Sequence, residues 1–237
     1  MTPLGLSQSD IGQFIGQLKE LLELQKDLGR QFLPWFPKYQ ETWGSFGRPP
    51  CTYESLSALY QAILQCRKCG LFRNRRQAVP GQGSFKARLM FIGEGPGFEE
   101  DQQGRPFVGP AGQLLTKMIK AIKLNREDVY ITNVVKCRPP ENRLPSEDEI
   151  EVCRPFLNEE IRLVDPKILV GLGNCAAQTL TQSKKRISDL RGRWLDFQSR
   201  RLMATYHPAF LLRNPEAKRE VWEDLKRVRQ EYDDLES

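Results

Sequence analysis

The stretch Leu89-Met90-Phe91-Ile92-Gly93-Glu94-Gly95-Pro96-Gly97 decides the fold. A short, unbroken apolar run is the pattern of a strand buried on both faces, and the glycine-rich turn after it ends the strand. Three more runs of this kind follow, Val129 to Val135, Ile168 to Leu172 and Leu202 to Tyr206. Between them, apolar residues recur at helical spacing. Leu114, Leu115, Met118, Ile119 and Ile122 form one face, and Ala176 to Leu180 a short helix. Ser146-Glu147-Asp148-Glu149 is a capping box that opens a helix with Ile150, Cys153, Phe156 and Leu157 on its apolar side. A helix with Leu56, Leu59, Tyr60, Ile63 and Leu64 precedes the first strand, and one beginning at Asn214-Pro215 follows the last. The alternation predicts an α/β domain whose four-stranded, mostly parallel sheet is covered on both faces. Ligands in such sheets bind beyond the carboxyl ends of the strands.

Working outward, the 237 residues divide into 1–50 and 51–237. The first segment reads as a helical and aromatic extension: Ile11, Phe14, Ile15, Leu18, Leu21 and Leu22 at helical spacing, then Trp35, Phe36, Tyr39, Trp43 and Phe46 among prolines. The remainder is long enough to bury most of its unfolded surface without disulfides. No apolar run reaches the roughly 18 residues of a membrane span, and no secretory leader is legible. The expected compartment is therefore cytoplasmic, where the six cysteines would stay reduced and point to metal or catalysis.

The net charge of +6 is concentrated. Arg67, Lys68, Arg73, Arg75, Arg76, Lys86 and Arg88 have no acidic neighbour between residues 66 and 88. Lys184, Lys185, Arg186, Arg191, Arg193, Arg200 and Arg201 form a second basic segment. These are either a phosphate-binding face or solvated loops.

Chemistry-bearing residues collect at the expected strand ends. They are the Gly93–Gly97 loop, Thr132-Asn133, Gly171-Leu172-Gly173-Asn174, and His207, the only histidine. The glycine loop does not have dinucleotide-binding spacing, Pro96 interrupts it, and Glu94, Glu99, Glu100 and Asp101 would repel a pyrophosphate. It reads as a long polar loop that does not pass at once into a helix and lets backbone amides approach a small planar ligand. Cys66-x2-Cys69 is a chelating pair, with Cys137 and Cys153 further on. Four thiolates can hold zinc or a [4Fe–4S] cluster, and the split second pair favours the cluster. Cys51 and Cys175 fall outside the set, with Cys175 expected in the core.

Six blocks in order carry a resemblance: Cys66-x2-Cys69, Val79 to Gly83, Gly93 to Gly97, Gly104 to Gly112, Thr132 to Pro139 and His207 to Arg213. Over about residues 52 to 230 the chain resembles the family 4 uracil-DNA glycosylases, iron–sulfur enzymes of DNA repair. The resemblance implies a three-layer α/β/α sandwich and a structural [4Fe–4S] cluster on Cys66, Cys69, Cys137 and Cys153. Its implied substrate is uracil in single- or double-stranded DNA, and its implied product an abasic site. Phe107 would stack on the extruded ring, Asn133 would read its edge, and Glu100 would crowd its C5 position. His207 would stabilise the leaving anion with help from the Gly95 N–H, and Glu94 would orient water. Leu211, or its neighbour Leu212, would wedge into the vacated stack.

Phosphates would be held by Arg67, Lys68, Arg73, Arg75, Arg76, Lys184, Lys185, Arg186 and Arg191. A related branch traps the sugar on a second histidine; this chain has Pro139-Pro140-Glu141-Asn142-Arg143 there and none. The expected protein is a monomer, with residues 1–50 available to a replication or repair partner. The competing readings are a non-catalytic iron–sulfur nucleic-acid-binding protein and a zinc-stabilised interaction protein.

Overall fold

The structure is a computed structural model that describes residues 53–235. The expected extension over residues 1–50 and Cys51 lie outside the described residues. Helix α1 (Leu56–Gln65) is capped by the Ser55 hydroxyl, which accepts from the Ala58 N–H at 3.2 Å. After a 3₁₀ turn at Gly70–Arg73 come β1 (Gln82–Gly83), β2 (Leu89–Gly93), α2 (Phe98–Gln103), α3 (Pro110–Ala121) and β3 (Tyr130–Asn133). The chain continues through α4 (Glu147–Val164), β4 (Ile168–Leu172), α5 (Gly173–Thr181) and α6 (Ile187–Leu190). It closes with β5 (Trp194–Phe197), β6 (Arg200–Thr205), α7 (Pro208–Arg213) and α8 (Lys218–Asp234). The capping box of α4 forms as the sequence implies, Ser146 and Glu149 each bonding the other's backbone N–H.

The four expected strands are the centre of the sheet, paired in parallel in the order β3-β2-β4-β6. The class is the expected one; the sheet is larger, because β1 and β5 add antiparallel edges for six strands in all. Both additions evade pattern reading for physical reasons. Strand β1 is two residues long. Strand β5 joins β6 through Gln198-Ser199, whose φ values of 49° and 64° are those of a tight primed turn, built without the Asn-Gly pair that usually announces one. The glycine loop also differs from expectation: it enters α2 directly after Gly97.

Alternate residues of each strand feed two cores. Met90, Ile92, Tyr130 and Leu169 pack with α1, α4 and α5 on one face. Leu89, Phe91, Ile131, Val170 and Met203 pack with α3 and α8 on the other. The connection leaving β2 therefore turns to one face and that leaving adjoining β3 to the opposite face. This opens a crevice at their carboxyl ends. No helix among the described residues is long and apolar enough to cross a membrane.

Beneath that crevice lies a buried ion pair. Lys136 and Glu160 are 1% and 0% exposed, with Nζ to Oε2 at 2.7 Å. Lys136 Nζ also donates to Thr132 Oγ1 at 2.8 Å and to the Asn133 carbonyl at 2.5 Å. Glu160 accepts from Thr132 Oγ1 at 2.6 Å and, through Oε1, from the Gly81 N–H at 2.8 Å. Removing one partner of such a pair strands the other in low dielectric. Lys136→Met is expected to lower the unfolding free energy by about 3–5 kcal/mol, read as a lower urea midpoint. Lys136→Met with Glu160→Gln should recover much of that loss. A wild-type midpoint for the single variant would contradict the anchoring role.

Candidate active site

The carboxyl ends of β2, β3 and β6 enclose a cavity of about 240 Å³. Its walls include Glu94, Gly95, Gly97 and Glu100 from the first loop and α2, with Phe107, Asn133 and His207 from three further segments. Six of the seven residues expected to act on the base or the bond, separated by up to 113 positions in the chain, are thus brought together.

Asn133 ends β3 opposite Gly93 and is 2% exposed. Its Oδ1 is buried and has no hydrogen-bond partner in the protein. An orphaned buried acceptor is costly, so the position is one a ligand donor would satisfy. Gly93 makes the approach possible: a Cβ there would collide with both Asn133 Oδ1 and the Phe107 ring. Phe107 itself sits at φ 53°, in the left-handed region that a side chain rarely adopts. Two contacts hold it there. The Arg126 guanidinium donates to the Pro106 carbonyl, and Gly112 leaves room for the Phe107 carbonyl, which a Cβ would strike.

Glu100 organises the loop. Its Oε1 accepts from the Val108 and Gly109 N–H groups at 2.8 and 2.9 Å, and its Oε2 from Gly97 at 3.1 Å. One carboxylate thereby ties the glycine turn to the Phe107 turn. Glu94 is partly buried, and burial pushes its carboxyl above the usual carboxylate range.

His207 is the N-cap of α7, with Nδ1 accepting from the Ala209 N–H at 3.1 Å. That bond assigns the ring hydrogen to Nε2. Burial lowers its pKa to about 4; the nearby Glu100 charge raises it and Arg213 lowers it further. The imidazole is therefore neutral at physiological pH and lies 5.6 Å, centroid to centroid, from the Phe107 ring.

Three expected residues are placed differently. Leu211 is 1% exposed and packs in the core of the second face, so it cannot reach a DNA stack; Leu212 beside it is 48% exposed. Arg75 donates to Cys137 Sγ at 2.8 Å and to the Leu64 carbonyl at 3.0 Å. Arg191 is bonded to Asp224 through Nε and Nη2 and also pairs with Glu220. Both arginines are occupied within the protein and are not free for phosphates. Arg67, Lys68, Arg73, Arg76, Lys184, Lys185 and Arg186 are exposed. Arg76 donates to Gln102, and Asn174 ties the Ile187 N–H, next to Arg186, to the end of the sheet that carries the cavity. Cys175 is partly buried and packs against the first core, as expected, with the Glu94 charge close enough to act on its thiol. Asn142 and Arg143 also line the cavity; the sequence marked them only as the segment where a related branch carries its second histidine, and gave them no role.

The four patterned cysteines share one apolar cluster, Cys137 and Cys153 buried and Cys66 and Cys69 partly so. The Lys136 N–H points to Cys153 Sγ at 3.4 Å. Among the described residues, no group of three or more His, Cys, Asp or Glu is placed to hold a metal ion.

The protein-family model for the uracil DNA glycosylase superfamily matches residues 80–226. The type-4 uracil-DNA glycosylase of Sulfurisphaera tokodaii is 44% identical, over 75% of this chain and 84% of that protein. The type-4 enzyme of Saccharolobus solfataricus is 43% identical, over 75% and 86%, and that of Archaeoglobus fulgidus 41%, over 74% and 92%. With matches of this extent, the chain belongs to the uracil DNA glycosylase superfamily and, within it, to the type-4 uracil-DNA glycosylases.

Proposed function

We propose that this chain repairs DNA by extruding uracil into the cavity and hydrolysing its N-glycosidic bond, leaving an abasic site. The observation that carries the reading is the buried, unpaired Oδ1 of Asn133 beside the Phe107 ring in a cavity shared with His207. Uracil offers an N3–H donor next to the O4 acceptor. Asn133 Oδ1 takes the first and Nδ2 donates to the second. Cytosine presents the reverse pattern, which leaves the carboxamide unsatisfied and is rejected. Phe107 stacks on the ring, and Glu100, fixed by its three N–H bonds, crowds C5 against a thymine methyl.

The C1′–N1 bond breaks with its electron pair going to uracil. The resulting negative charge on O2 is met by the neutral His207 Nε2–H and the Gly95 N–H. Water oriented by Glu94 adds to the cationic sugar carbon and gives up its proton to that carboxylate, whose raised pKa suits a base. Leu212, rather than Leu211, fills the gap in the stack. The exposed basic residues hold phosphates without reading sequence. The relatives over most of the chain are named as glycosylases, which favours an enzyme over a protein that only binds DNA.

The same reading assigns Cys66, Cys69, Cys137 and Cys153 to a [4Fe–4S] cluster. The donor set fits: four thiols in one neighbourhood, with Arg75 and the Lys136 N–H directed at two sulfurs. When bound, the cluster supplies a structural crosslink between the end of α1 and α4. The enzyme acts in the cytoplasm as a monomer, with residues 1–50 serving a repair or replication partner.

Three outcomes test this reading. His207→Ala should slow single-turnover uracil release about 100-fold, with DNA affinity within about twofold of wild type; equal losses in both would make His207 structural. The chain's single imidazole should titrate by NMR near 4. The unfolded chain takes that proton near 6.5, so stability falls as pH drops between the two values. A midpoint near 6.5 contradicts the buried neutral imidazole. The purified protein should be brown, with about four irons per chain; a colourless zinc protein would remove the cluster.

A further inference from the structure

The rim of the cavity carries an aromatic residue that reading the extruded base leaves unused. Phe98 is the first residue of α2, directly after Gly97 of the cavity wall. It is 52% exposed, so its ring face is open to a ligand at the rim. The Arg138 guanidinium lies 5.1 Å from the ring centroid. Arg138 Nε in turn donates to Asn142 Oδ1 at 2.8 Å, and Asn142 also lines the cavity. Ring, guanidinium and carboxamide thus form one continuous ledge along the rim.

We propose that Phe98, braced by Arg138, is the stacking platform for a base that flanks the extruded uracil. The chemistry is that of single-strand recognition. A planar apolar face accepts any base, and a cation beside it faces the adjoining phosphate. An unpaired flanking base is free to swing onto the ring, whereas a flanking base in a duplex is held by its partner strand. Phe98 is therefore a positioning residue that favours single-stranded substrate. The inference rests on the glycosylase reading above but predicts a binding signal that does not depend on bond cleavage.

The test uses the full chain and short single-stranded oligonucleotides holding one uracil. The base on the 5′ or the 3′ side is replaced, one at a time, by an abasic spacer. Affinity is read by fluorescence anisotropy, and uracil release in parallel. Phe98→Ala should weaken single-strand affinity between about fivefold and a hundredfold, with the loss in KM rather than kcat. Phe98→Trp should restore it. One of the two spacers should cost wild type a similar factor and cost Phe98→Ala almost nothing. On duplex substrate the alanine variant should differ from wild type by less than about twofold. Unchanged single-strand affinity, or spacer losses equal in wild type and variant, would overturn the platform. Absence of uracil release by wild type, with the anisotropy pattern intact, would instead strike at the glycosylase reading alone.

Discussion

The Lys136–Glu160 pair is the constraint from which the rest of the site follows. Two opposite charges are held out of water below the carboxyl end of β3, and each must find every remaining bond inside the protein. The lysine does so on Thr132 and on the backbone of Asn133, the glutamate on Thr132 and on Gly81. The last residue of β3 is thereby fixed in position while its own side-chain oxygen stays unpaired. The backbone N–H of the same lysine points at Cys153, so the floor of the cavity and the cysteine cluster share one residue.

Around this floor the cavity is shaped by close approach more than by charge. Missing side-chain atoms at Gly93 and Gly112 let Phe107 and Asn133 meet, and one carboxylate, Glu100, joins the two turns that carry the walls. His207 lies against Phe107 with its tautomer set by a helix cap rather than by a carboxylate. A site built this way holds its groups through packing and backbone bonds, which leaves little room for reorganisation when charge develops on a leaving group.

Much of this was legible in the sequence. Four buried strands announce themselves by unbroken apolar runs, and the strand-end rule placed Asn133 and His207 on one rim. What escaped has identifiable causes. The edge strands lack period or length, and Gln198-Ser199 makes its turn without turn-forming residues. Leu211 and Leu212 look alike as letters; only the helical phase of α7 decides which faces the core. Arg75 and Arg191 read as loop charges until the fold supplies a thiol, carbonyl oxygens and carboxylates for them. Glu160 carried no local signal, because its partners lie 24 or more residues away.

The cap on α7 has one more consequence. The amide that fixes the imidazole tautomer lies in the same six-residue helix as exposed Leu212, in its first turn. Without that first turn Nδ1 would lose its donor, so the fixed orientation of the imidazole and the outward placement of Leu212 depend on the same few backbone residues.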